Sequence, residues 1–245
     1  MMRIPELRVI IETEAHSGVW NMAVDEALLE TAIAEGVATL RWYQWSEPTV
    51  SLGYFQKSAE LASDNLLSRL PSVRRLTGGG AILHHDELTY SVVLPANQEL
   101  FERPEQLYDI VHESIVGSLR EIGFPVSFRG ETVKCLDEPL LCFLRQDSHD
   151  LTLSGSKVLG SAQRRRRGSI LQHGSLILRA SPLASHLRGL TDLFSANLPE
   201  DLANRLNLCL VESLAESWKL GTLTEQEIEM IYRLCEQNHM DVRSR

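Results

Sequence analysis

The alternation of apolar and polar residues predicts short strands interleaved with a few longer helices. Residues 7–12 (LRVIIE) have the apolar, β-branched composition of a strand. The next stretch, NMAVDEALLETAIAEG, spaces its apolar residues for one helical face, with Asn21 as the predicted N-cap and Gly36 as the predicted end. Two aromatic-rich strands follow (TLRWYQW and TVSLGYFQ), and then a short helix is expected around residues 58–69.

The second half of the pattern contains the clearest helix and two hairpin-like segments. The segment VRRLTGGGAILHHDELTYSVVLP predicts a strand, a glycine turn and two more strands. Apolar residues at three- and four-residue steps predict a helix that starts at Pro104 and ends at Gly123. A hairpin (DLTLSGSKVLGSAQ) and a further strand (SILQHGSLIL) come next, and from about Leu183 the pattern is helical to the C-terminus.

This order of elements predicts an α+β fold. Strands that follow one another without intervening helices make the sheet mostly antiparallel or mixed, with helices flanking it. With 245 residues, 43% of them hydrophobic, the chain can bury one sizeable core, and it contains no linker-like tract or internal repeat. We expect a principal domain over residues 1–182 and a helical C-terminal region, residues 183–245, packed on the same domain.

Charge and cysteine content exclude several classes of protein. A net charge of −9 argues against a general nucleic-acid or membrane-surface binder, because either requires a basic surface. The first residues lack a basic flank followed by a long apolar run, so we expect no signal peptide or membrane span. Cys135, Cys142, Cys209 and Cys235 form no C-x-x-C pair and are interpreted as reduced thiols in a cytoplasmic protein.

Three consecutive glycines between predicted strands are the first candidate for chemistry. Gly78, Gly79 and Gly80 cost backbone entropy, but they let main-chain N–H groups approach a ligand. Arg74 and Arg75 precede them and add cationic donors, which favours a cradle for an anionic or carbonyl-bearing group over a structural bulge. The loop is neither a P-loop nor a dinucleotide fingerprint, since it lacks the lysine of the first and the helix that follows the second.

A thiol and an amine form the second candidate. Cys142 lies in a segment too polar for a core strand, and Lys157 follows the turn Ser154-Gly155-Ser156, which is expected to expose it. A lone cysteine is more often a small buried hydrophobe than a catalyst, and a hairpin lysine is usually solvated. The residues alone therefore leave both interpretations open.

Several motifs resemble one superfamily. RRLTGGGAILHHDELTYS is similar to the signature of the lipoate-protein ligase, octanoyltransferase and biotin-ligase catalytic domains. NMAVDEALL, EPTVSLGYFQ and GSAQRRRRGSILQHGSLIL resemble further blocks of the lipoate-ligase and octanoyltransferase branch, in the expected order. The resemblance implies a biotin/lipoate-ligase-like fold, with residues 1–182 as the acyl-transferase catalytic domain, and the attachment of an octanoyl or lipoyl group to a lysine of a lipoyl domain.

Within that superfamily, Cys142 favours the cysteine-dependent octanoyltransferases. CF shortly before GSKVLGSAQ is similar to that branch, which implies Cys142 as the nucleophile and Lys157 as its electrostatic partner, able to favour the thiolate and polarise the acyl carbonyl. The resemblance also implies a set of substrate-binding residues: Arg75, Gly78, Gly79, Gly80, Ala81 and His84. Cys135, Cys209 and Cys235 keep the interpretation as packing residues.

The implied reaction moves an octanoyl group from octanoyl-acyl carrier protein to the cysteine, and then to a lysine of a lipoyl domain or the glycine-cleavage H protein. No cofactor or metal is expected. An ATP-dependent lipoate-protein ligase is the alternative, and only that reading would require ATP and magnesium. An amidotransferase acting between lipoyl domains and a non-catalytic acyl-carrier or lipoyl-domain binding protein are weaker alternatives.

Histidines and a run of arginines remain without an assigned catalytic role. His84 and His85 follow the glycine loop, and a histidine satisfied by hydrogen bonds at a strand end is as good an interpretation as an acid or base. The same holds for His149 and His173. The four arginines at 164–167 are interpreted as a solvated loop, with a docking patch for acidic carrier or lipoyl domains as the functional alternative.

Overall fold

The computed structural model describes residues 3–62, 64–96, 103–131 and 140–243 of the chain. The strands are β1 (Ile4–Ile11), β2 (Ala38–Tyr43), β3 (Thr49–Leu52), β4 (Ser72–Arg74), β5 (Ile82–His84), β6 (Glu87–Leu94), β7 (Ser127–Phe128), β8 (Leu151–Leu153), β9 (Ser156–Arg166), β10 (Ser169–Ile177) and β11 (Ala215–Leu220). The helices are α1 (Gly18–Glu35), α2 (Ser58–Ala62), α3 (Glu105–Glu121), α4 (Leu190–Leu193), α5 (Leu202–Leu214) and α6 (Glu225–Arg243).

A mixed sheet organises the molecule. Within the described ranges, eight strands lie in the order β11-β1-β2-β6-β10-β9-β8-β7, and a smaller sheet has the order β4-β3-β5. The strands β11, β1 and β2 run parallel, whereas each neighbouring pair from β2 to β7 is antiparallel. The predicted α+β class with a mostly antiparallel, mixed sheet is confirmed.

Helices cover both faces of the large sheet. On one face, the apolar stripes of α3 and α5 are buried against strand side chains; the fully buried examples include Leu107, Val111, Ile115, Leu206 and Leu210. On the other face, α1 contributes Val24, Leu28 and Leu29, and α6 packs outside it through Ile231. Each such side chain contributes about 1.5–3 kcal/mol when fully buried, so the periodicity seen in the sequence is what fixes the layers. No helix in the described ranges is both long and apolar enough to cross a bilayer.

The predicted start of α1 was wrong. The helix begins at Gly18, and the side chain of Ser17 caps it by accepting from the N–H of Trp20 at 3.4 Å. Asn21, the predicted N-cap, is buried instead, and its Nδ2 donates to the carbonyl oxygens of His16 and Gln44. Ser17 is itself a good cap, so the helix extends by one turn and frees Asn21 to join two loops.

The single helix expected at residues 58–69 is also interrupted. The structure has α2 followed by a separate 3₁₀ turn at Leu67–Arg69. Between them, Oδ1 of Asp64 accepts the N–H groups of Leu66 and Leu67, both at 2.9 Å. A side chain that satisfies its own backbone in this way competes with helix propagation, which explains the break.

The sequence predicted a C-terminal region that is helical throughout, and this prediction was wrong. The stretch 215–220 (AESWKL) forms β11, which pairs in parallel with β1 through partners such as Ile4 and Ala215. Its spacing of Leu214 and Trp218 fits a helix, but the open edge of β1 supplies backbone hydrogen bonds that override this local preference. The last strand of the large sheet therefore comes from the C-terminal region.

The predicted hairpin at residues 150–163 is confirmed, and it carries one candidate residue. The strands β8 and β9 are joined by Ser154 and Gly155, which have φ angles of 50° and 78°. Two consecutive residues with positive φ define the tight turn that suits the twist of a two-residue hairpin. This geometry places Lys157 just inside β9.

Candidate active site

The glycine loop lies between β4 and β5 in the smaller sheet. Gly79 has a φ of 91°, and a Cβ added to it would approach Nη2 of Arg75 to 3.0 Å. A Cβ on Gly80 would lie 2.8 Å from the carbonyl oxygen of Leu140, whereas one on Gly78 would meet nothing within 4 Å. Two of the three glycines are thus required by the path of the backbone.

Arg75 is buried beneath this loop, and all of its N–H groups donate to acceptors within the protein. Nε donates to Oγ1 of Thr77 at 3.2 Å, and Nη1 donates to the carbonyl oxygen and Oγ of Ser51 at 2.9 and 3.2 Å. Nη2 donates to the carbonyl oxygens of Gly78 and Gly80, both at 2.7 Å. A guanidinium has five N–H donors, and all five are used. Burial lowers the pKa of Arg75 to about 10, at which the group stays charged at neutral pH.

Arg74 orders the neighbouring loop in the same manner. Its Nη1 donates to the carbonyl oxygens of Gly53, Tyr54 and Gln56 at 2.9, 3.3 and 2.7 Å. This loop packs directly on the glycine loop, since a Cβ on Gly53 would lie 2.1 Å from the carbonyl oxygen of Gly79. Both arginines therefore hold loops of the protein together, and the substrate-binding role of Arg75 stays a prediction.

Cys142 lies directly beside the glycine loop. Its N–H donates to the carbonyl oxygen of Ala81 at 2.7 Å, and the N–H of Ala81 donates to the carbonyl oxygen of Leu140 at 2.8 Å. These bonds bring the thiol near the loop, with Sγ 3.6 Å from the position that a Cβ on Gly79 would take. The side chain is half-buried at the start of a 3₁₀ turn. Ala81 thus positions the cysteine through its backbone.

Lys157 is close to Cys142, but it is not exposed as the flanking turn had suggested. The residue is only 8% exposed, its Nζ lies 3.4 Å from the carbonyl oxygen of Cys142, and it lies 5.3 Å from the ring centre of Phe143. Nζ also forms an ion pair with Oδ1 of Asp150 at 2.7 Å. The turn residues face solvent, but the pleat of β9 points the next side chain inward.

Gly160 and Asp150 complete the surroundings of the ammonium group. A Cβ on Gly160 would lie 2.8 Å from Nζ of Lys157, so the absence of a side chain there leaves room for the lysine. Burial raises the pKa of Asp150 above its ordinary value, although the ammonium of Lys157 opposes this shift. The thiol therefore lies next to a buried cation that is itself held by a carboxylate.

A narrow cavity connects these groups. Cys142 and Lys157 line it together with apolar side chains of Met22, Trp45 and Ile82. A wider groove adjoins it, and Met22 and Arg75 line both. A mostly apolar wall with a few polar groups is typical of a site for a small molecule or an acyl chain.

The four histidines considered in the sequence occupy different environments. His84 lines the cavity, but its two ring nitrogens already contact Glu87 and Ser51, each at 2.7 Å. His173 also lines the cavity, while Nδ1 of His85 contacts Ser181 at 2.9 Å outside it. His149 is partly exposed and pairs with aspartates. Only two of the four therefore belong to the candidate site.

The remaining cysteines and the arginine run lie elsewhere. Cys209 and Cys235 are half-buried on α5 and α6, and burial raises the pKa of Cys235. Cys135 falls outside the described residues. Arg164 stacks at 4.5 Å over the ring of Tyr54, and Arg166 forms ion pairs with α1. Those two arginines have internal partners, and the docking interpretation of the run stays a prediction.

Sequence reasoning missed the buried acids. Asp150 holds Lys157, Glu87 contacts His84, and Asp25 contacts His173 at 3.1 Å. A carboxylate inside an apolar segment, such as Asp25 in NMAVDEALL, is the one signal that could have found them. The partner of Asp25, His173, lies in a distant segment, whereas His84 is three residues before Glu87 and Lys157 lies in the same hairpin as Asp150. In all three cases the sequence does not show that the carboxylate is buried against its partner.

The sequence of this chain is similar to a known catalytic-domain family and to several named proteins. Residues 17–207 match the lipoyl protein ligase A/B catalytic domain. The octanoyltransferase LipM of an Exiguobacterium strain is 40% identical over 179 residues, which cover 69% of this chain and 65% of that protein. The LipM protein of Clostridioides difficile is 30% identical over 257 residues, which cover 93% of this chain and 94% of that protein. The chain thus spans just under two thirds of the first relative and nearly all of the second.

Solved structures show the same fold. A Thermoplasma acidophilum protein with bound lipoic acid superposes with a TM-score of 0.74 at 23% identity, over 94% of this chain and 95% of that chain. A lipoate-protein ligase A bound with ATP gives a TM-score of 0.70 at 21% identity, over 95% and 94% of the two chains. From the family match and the relatives together, the chain belongs to the lipoyl protein ligase A/B catalytic-domain family.

Proposed function

We propose that this protein is a cysteine-dependent octanoyltransferase of lipoate assembly, working without ATP or a metal. One observation carries the proposal: Cys142 lies on the wall of a narrow, largely apolar cavity, between the glycine loop and the buried Lys157–Asp150 ion pair. That arrangement suits an acyl chain whose carbonyl carbon ends at the thiol. The names of the LipM relatives support the same activity.

In the first step, the sulfur of Cys142 attacks the thioester carbonyl of an octanoyl donor. A new carbon–sulfur bond forms, the carrier thiolate leaves, and the proton released by Cys142 passes to the leaving sulfur. One thioester replaces another, so the step needs no separate source of free energy. Octanoyl-acyl carrier protein is the proposed donor.

In the second step, the amine of an acceptor lysine attacks the acyl-cysteine. The carbon–nitrogen bond forms as the bond to Cys142 breaks, and one proton of the attacking amine returns to the sulfur. The product is an amide on a lipoyl domain or the glycine-cleavage H protein. A separate adenylate is unnecessary because the acyl group stays activated throughout.

Both steps develop negative charge on the acyl oxygen, and two features of this chain can stabilise it. The ammonium of Lys157 lies beside Cys142, with Nζ 3.4 Å from the backbone carbonyl oxygen of that residue. In the described part of the chain, the N–H groups of Gly79 and Gly80 donate to no protein acceptor, which leaves them available to the acyl oxygen. Preorganised donors of this kind act most strongly in a water-poor cavity.

An ATP-dependent lipoate-protein ligase is the second candidate. The observation in its favour is the fold shared with a lipoate-protein ligase A bound with ATP. The glycine loop and Lys157 fit either reaction, because both groups can hold an adenylate as well as a thioester. Cys142 is what separates the candidates, since a ligase needs no nucleophilic thiol.

The decisive experiment offers two sets of reagents to the purified protein. With octanoyl-acyl carrier protein and no ATP or magnesium, we expect an octanoyl adduct on the peptide containing Cys142, detected by mass spectrometry. An apo lipoyl domain added afterwards is expected to take up that octanoyl group. Modification of the lipoyl domain only by free lipoate with ATP and magnesium, undiminished in Cys142→Ala, would establish the ligase instead.

Gly160→Ala is expected to slow acyl transfer while leaving the protein folded. The added Cβ would meet Cε of Lys157 at 2.5 Å, and the flexible lysine can move away at little cost to the fold. A displacement of about 1 Å in a catalytic group costs up to about 100-fold in rate. Steady-state transfer rates and thermal unfolding measure the two effects, with Gly155→Asn as the matched control because asparagine tolerates positive φ. Equal rates for Gly160→Ala and the unaltered protein would show that the position of Lys157 is not critical.

A further inference from the structure

Two buried chains of hydrogen bonds, each built from a carboxylate, an imidazole and a hydroxyl, meet at Arg75. In the first, Oδ2 of Asp25 lies 3.1 Å from Nδ1 of His173, and Nε2 of His173 lies 2.6 Å from Oγ1 of Thr77. Thr77 then accepts from Nε of Arg75. The members come from α1, β10 and the start of the glycine loop, so the chain ties three separate elements together.

The second chain has the same composition. Oε1 of Glu87 lies 2.7 Å from Nδ1 of His84, and Nε2 of His84 lies 2.7 Å from Oγ of Ser51. Ser51 accepts from Nη1 of Arg75. The ring of His84 also stacks on Trp45 with 3.7 Å between the ring centres, which fixes its plane. Both chains therefore end on the same guanidinium.

The network determines where the hydrogens lie. Arg75 can only donate, so the oxygens of Thr77 and Ser51 each accept one of its hydrogens. Each hydroxyl then has one hydrogen of its own, and Nε2 of its histidine is the acceptor within reach. Each imidazole consequently carries its hydrogen on Nδ1 and donates it to the carboxylate.

Protonation of either imidazole would break this pattern. Nε2 would become a donor, the hydroxyl hydrogen would lose its acceptor, and a second cation would face the guanidinium at short range. Burial lowers the pKa of His84 against the pull of Glu87, which agrees with a neutral ring. Burial would raise the pKa of Asp25, but the hydrogen bond from His173 and the charge of Arg41 bring it below its ordinary value, so that this carboxylate accepts.

We infer that His84, His173 and Arg75, besides lining the cavity, are positioning residues that fix the glycine loop beside the acyl group. The two imidazoles orient the hydroxyls, the hydroxyls fix the guanidinium, and Nη2 of Arg75 turns the carbonyl oxygens of Gly78 and Gly80 inward. The carbonyl of Gly78 and the N–H of Gly79 belong to one planar peptide unit and point in opposite directions, so turning this carbonyl towards Arg75 leaves the N–H of Gly79 facing the acyl oxygen. The second carbonyl, that of Gly80, holds the next peptide unit, whose N–H on Ala81 donates to the carbonyl oxygen of Leu140. The effect on catalysis rests on the proposed function, whereas the hydrogen-bond assignment stands without it.

Thr77 is the best residue at which to test this inference. It is fully buried and does not line the cavity, so its replacement alters no contact with an acyl chain. Thr77→Val keeps the shape but removes the hydroxyl, and leaves Nε of Arg75 and Nε2 of His173 without their shared partner. Thr77→Ser keeps the hydroxyl and is the matched control.

Nitrogen-15 NMR of the full chain, labelled at histidine and glycine, gives a readout that does not depend on activity. In the unaltered protein we expect the Nδ1–H tautomer for both His84 and His173. In Thr77→Val, the Nε2 signal of His173 and the amide signals of Gly79 and Gly80 should shift, whereas Thr77→Ser should keep all of them. The Nε2–H tautomer in the unaltered protein, or unshifted glycine signals in Thr77→Val, would overturn the inference.

Transfer kinetics supply the second readout. Thr77→Val is expected to lower kcat by up to about 100-fold with little change in KM, and Thr77→Ser to restore it, because the loop acts on the transition state. An unchanged kcat in a folded Thr77→Val protein would refute the positioning role. If the NMR result holds but no thioester acylates Cys142, the proposed function fails and the hydrogen-bond network stands.

Discussion

Replacing Cys142 by alanine is expected to abolish octanoyl transfer completely. The substitution removes the only atom that can carry the acyl group between donor and acceptor in the proposed mechanism. Direct attack of the acceptor lysine on the donor thioester would require the carrier protein and the lipoyl domain to occupy one site together. That site is a narrow cavity, and Cys142 itself forms part of its wall. Transfer from octanoyl-acyl carrier protein to an apo lipoyl domain, followed by mass spectrometry, measures the loss.

The other cysteines provide the controls for this experiment. Cys209→Ala and Cys235→Ala alter half-buried helical positions away from the cavity, and we expect both to retain full activity. Cys135→Ala is expected to retain it as well. Thermal unfolding should show Cys142→Ala to be folded, since a half-buried thiol contributes little packing. Normal turnover by Cys142→Ala would rule out the thioester mechanism, and binding without any turnover in the unaltered protein would favour a non-catalytic carrier.

Local patterns predicted those parts of the fold that depend on neighbouring residues. The helix α3 and the β8–β9 hairpin follow from apolar spacing and from a turn that tolerates positive φ. The strand β11 could not be predicted in the same way, because its hydrogen bonds go to β1, some two hundred residues earlier in the chain. Edge pairing of this kind depends on which strand is left open after the rest has folded.

The candidate site shows the same division. Cys142 and Lys157 were found because motif spacing and resemblance mark them, and the structure places them side by side. The role of Arg75 was not visible, since its partners Ser51 and Thr77 become neighbours only when β3 and the glycine loop meet. A sequence shows which residues can donate a hydrogen bond, whereas only the fold shows whether those donors are already in use.

Lys157→Met is expected to slow acylation of Cys142 by roughly 100- to 1,000-fold. Methionine is an unbranched side chain only one atom shorter than lysine, and it carries no charge. Loss of one donor to a developing oxyanion typically costs about 2.7–4 kcal/mol, which corresponds to that range of rates. In the proposed mechanism the ammonium has a second role, the activation of the sulfur as a nucleophile, so part of the effect is expected before the acyl group arrives.

The partner of Lys157 requires a second variant. Breaking a buried ion pair by removing one member costs about 3–5 kcal/mol of stability when the other charge remains. Because burial already raises the pKa of Asp150, that carboxyl should take up a proton in Lys157→Met and soften the loss. The double variant Asp150→Asn with Lys157→Met removes both charges of this pair together. Arg129, whose Nε lies 3.6 Å from Oδ2 of Asp150, loses a partner but is partly exposed, so the fold should stay close to that of the unaltered protein.

Two reactions of the thiol separate the two roles of Lys157. Alkylation by iodoacetamide depends on the thiolate but develops no oxyanion, whereas acylation by an octanoyl thioester depends on both. If the ammonium acts only on the acyl oxygen, the double variant will be alkylated at the normal rate and acylated slowly. If it acts only on the thiolate, both reactions will slow by the same factor, and an intermediate pattern will apportion the two roles. A folded double variant with both rates unchanged would remove Lys157 from the mechanism, because no other property of its side chain connects it to Cys142.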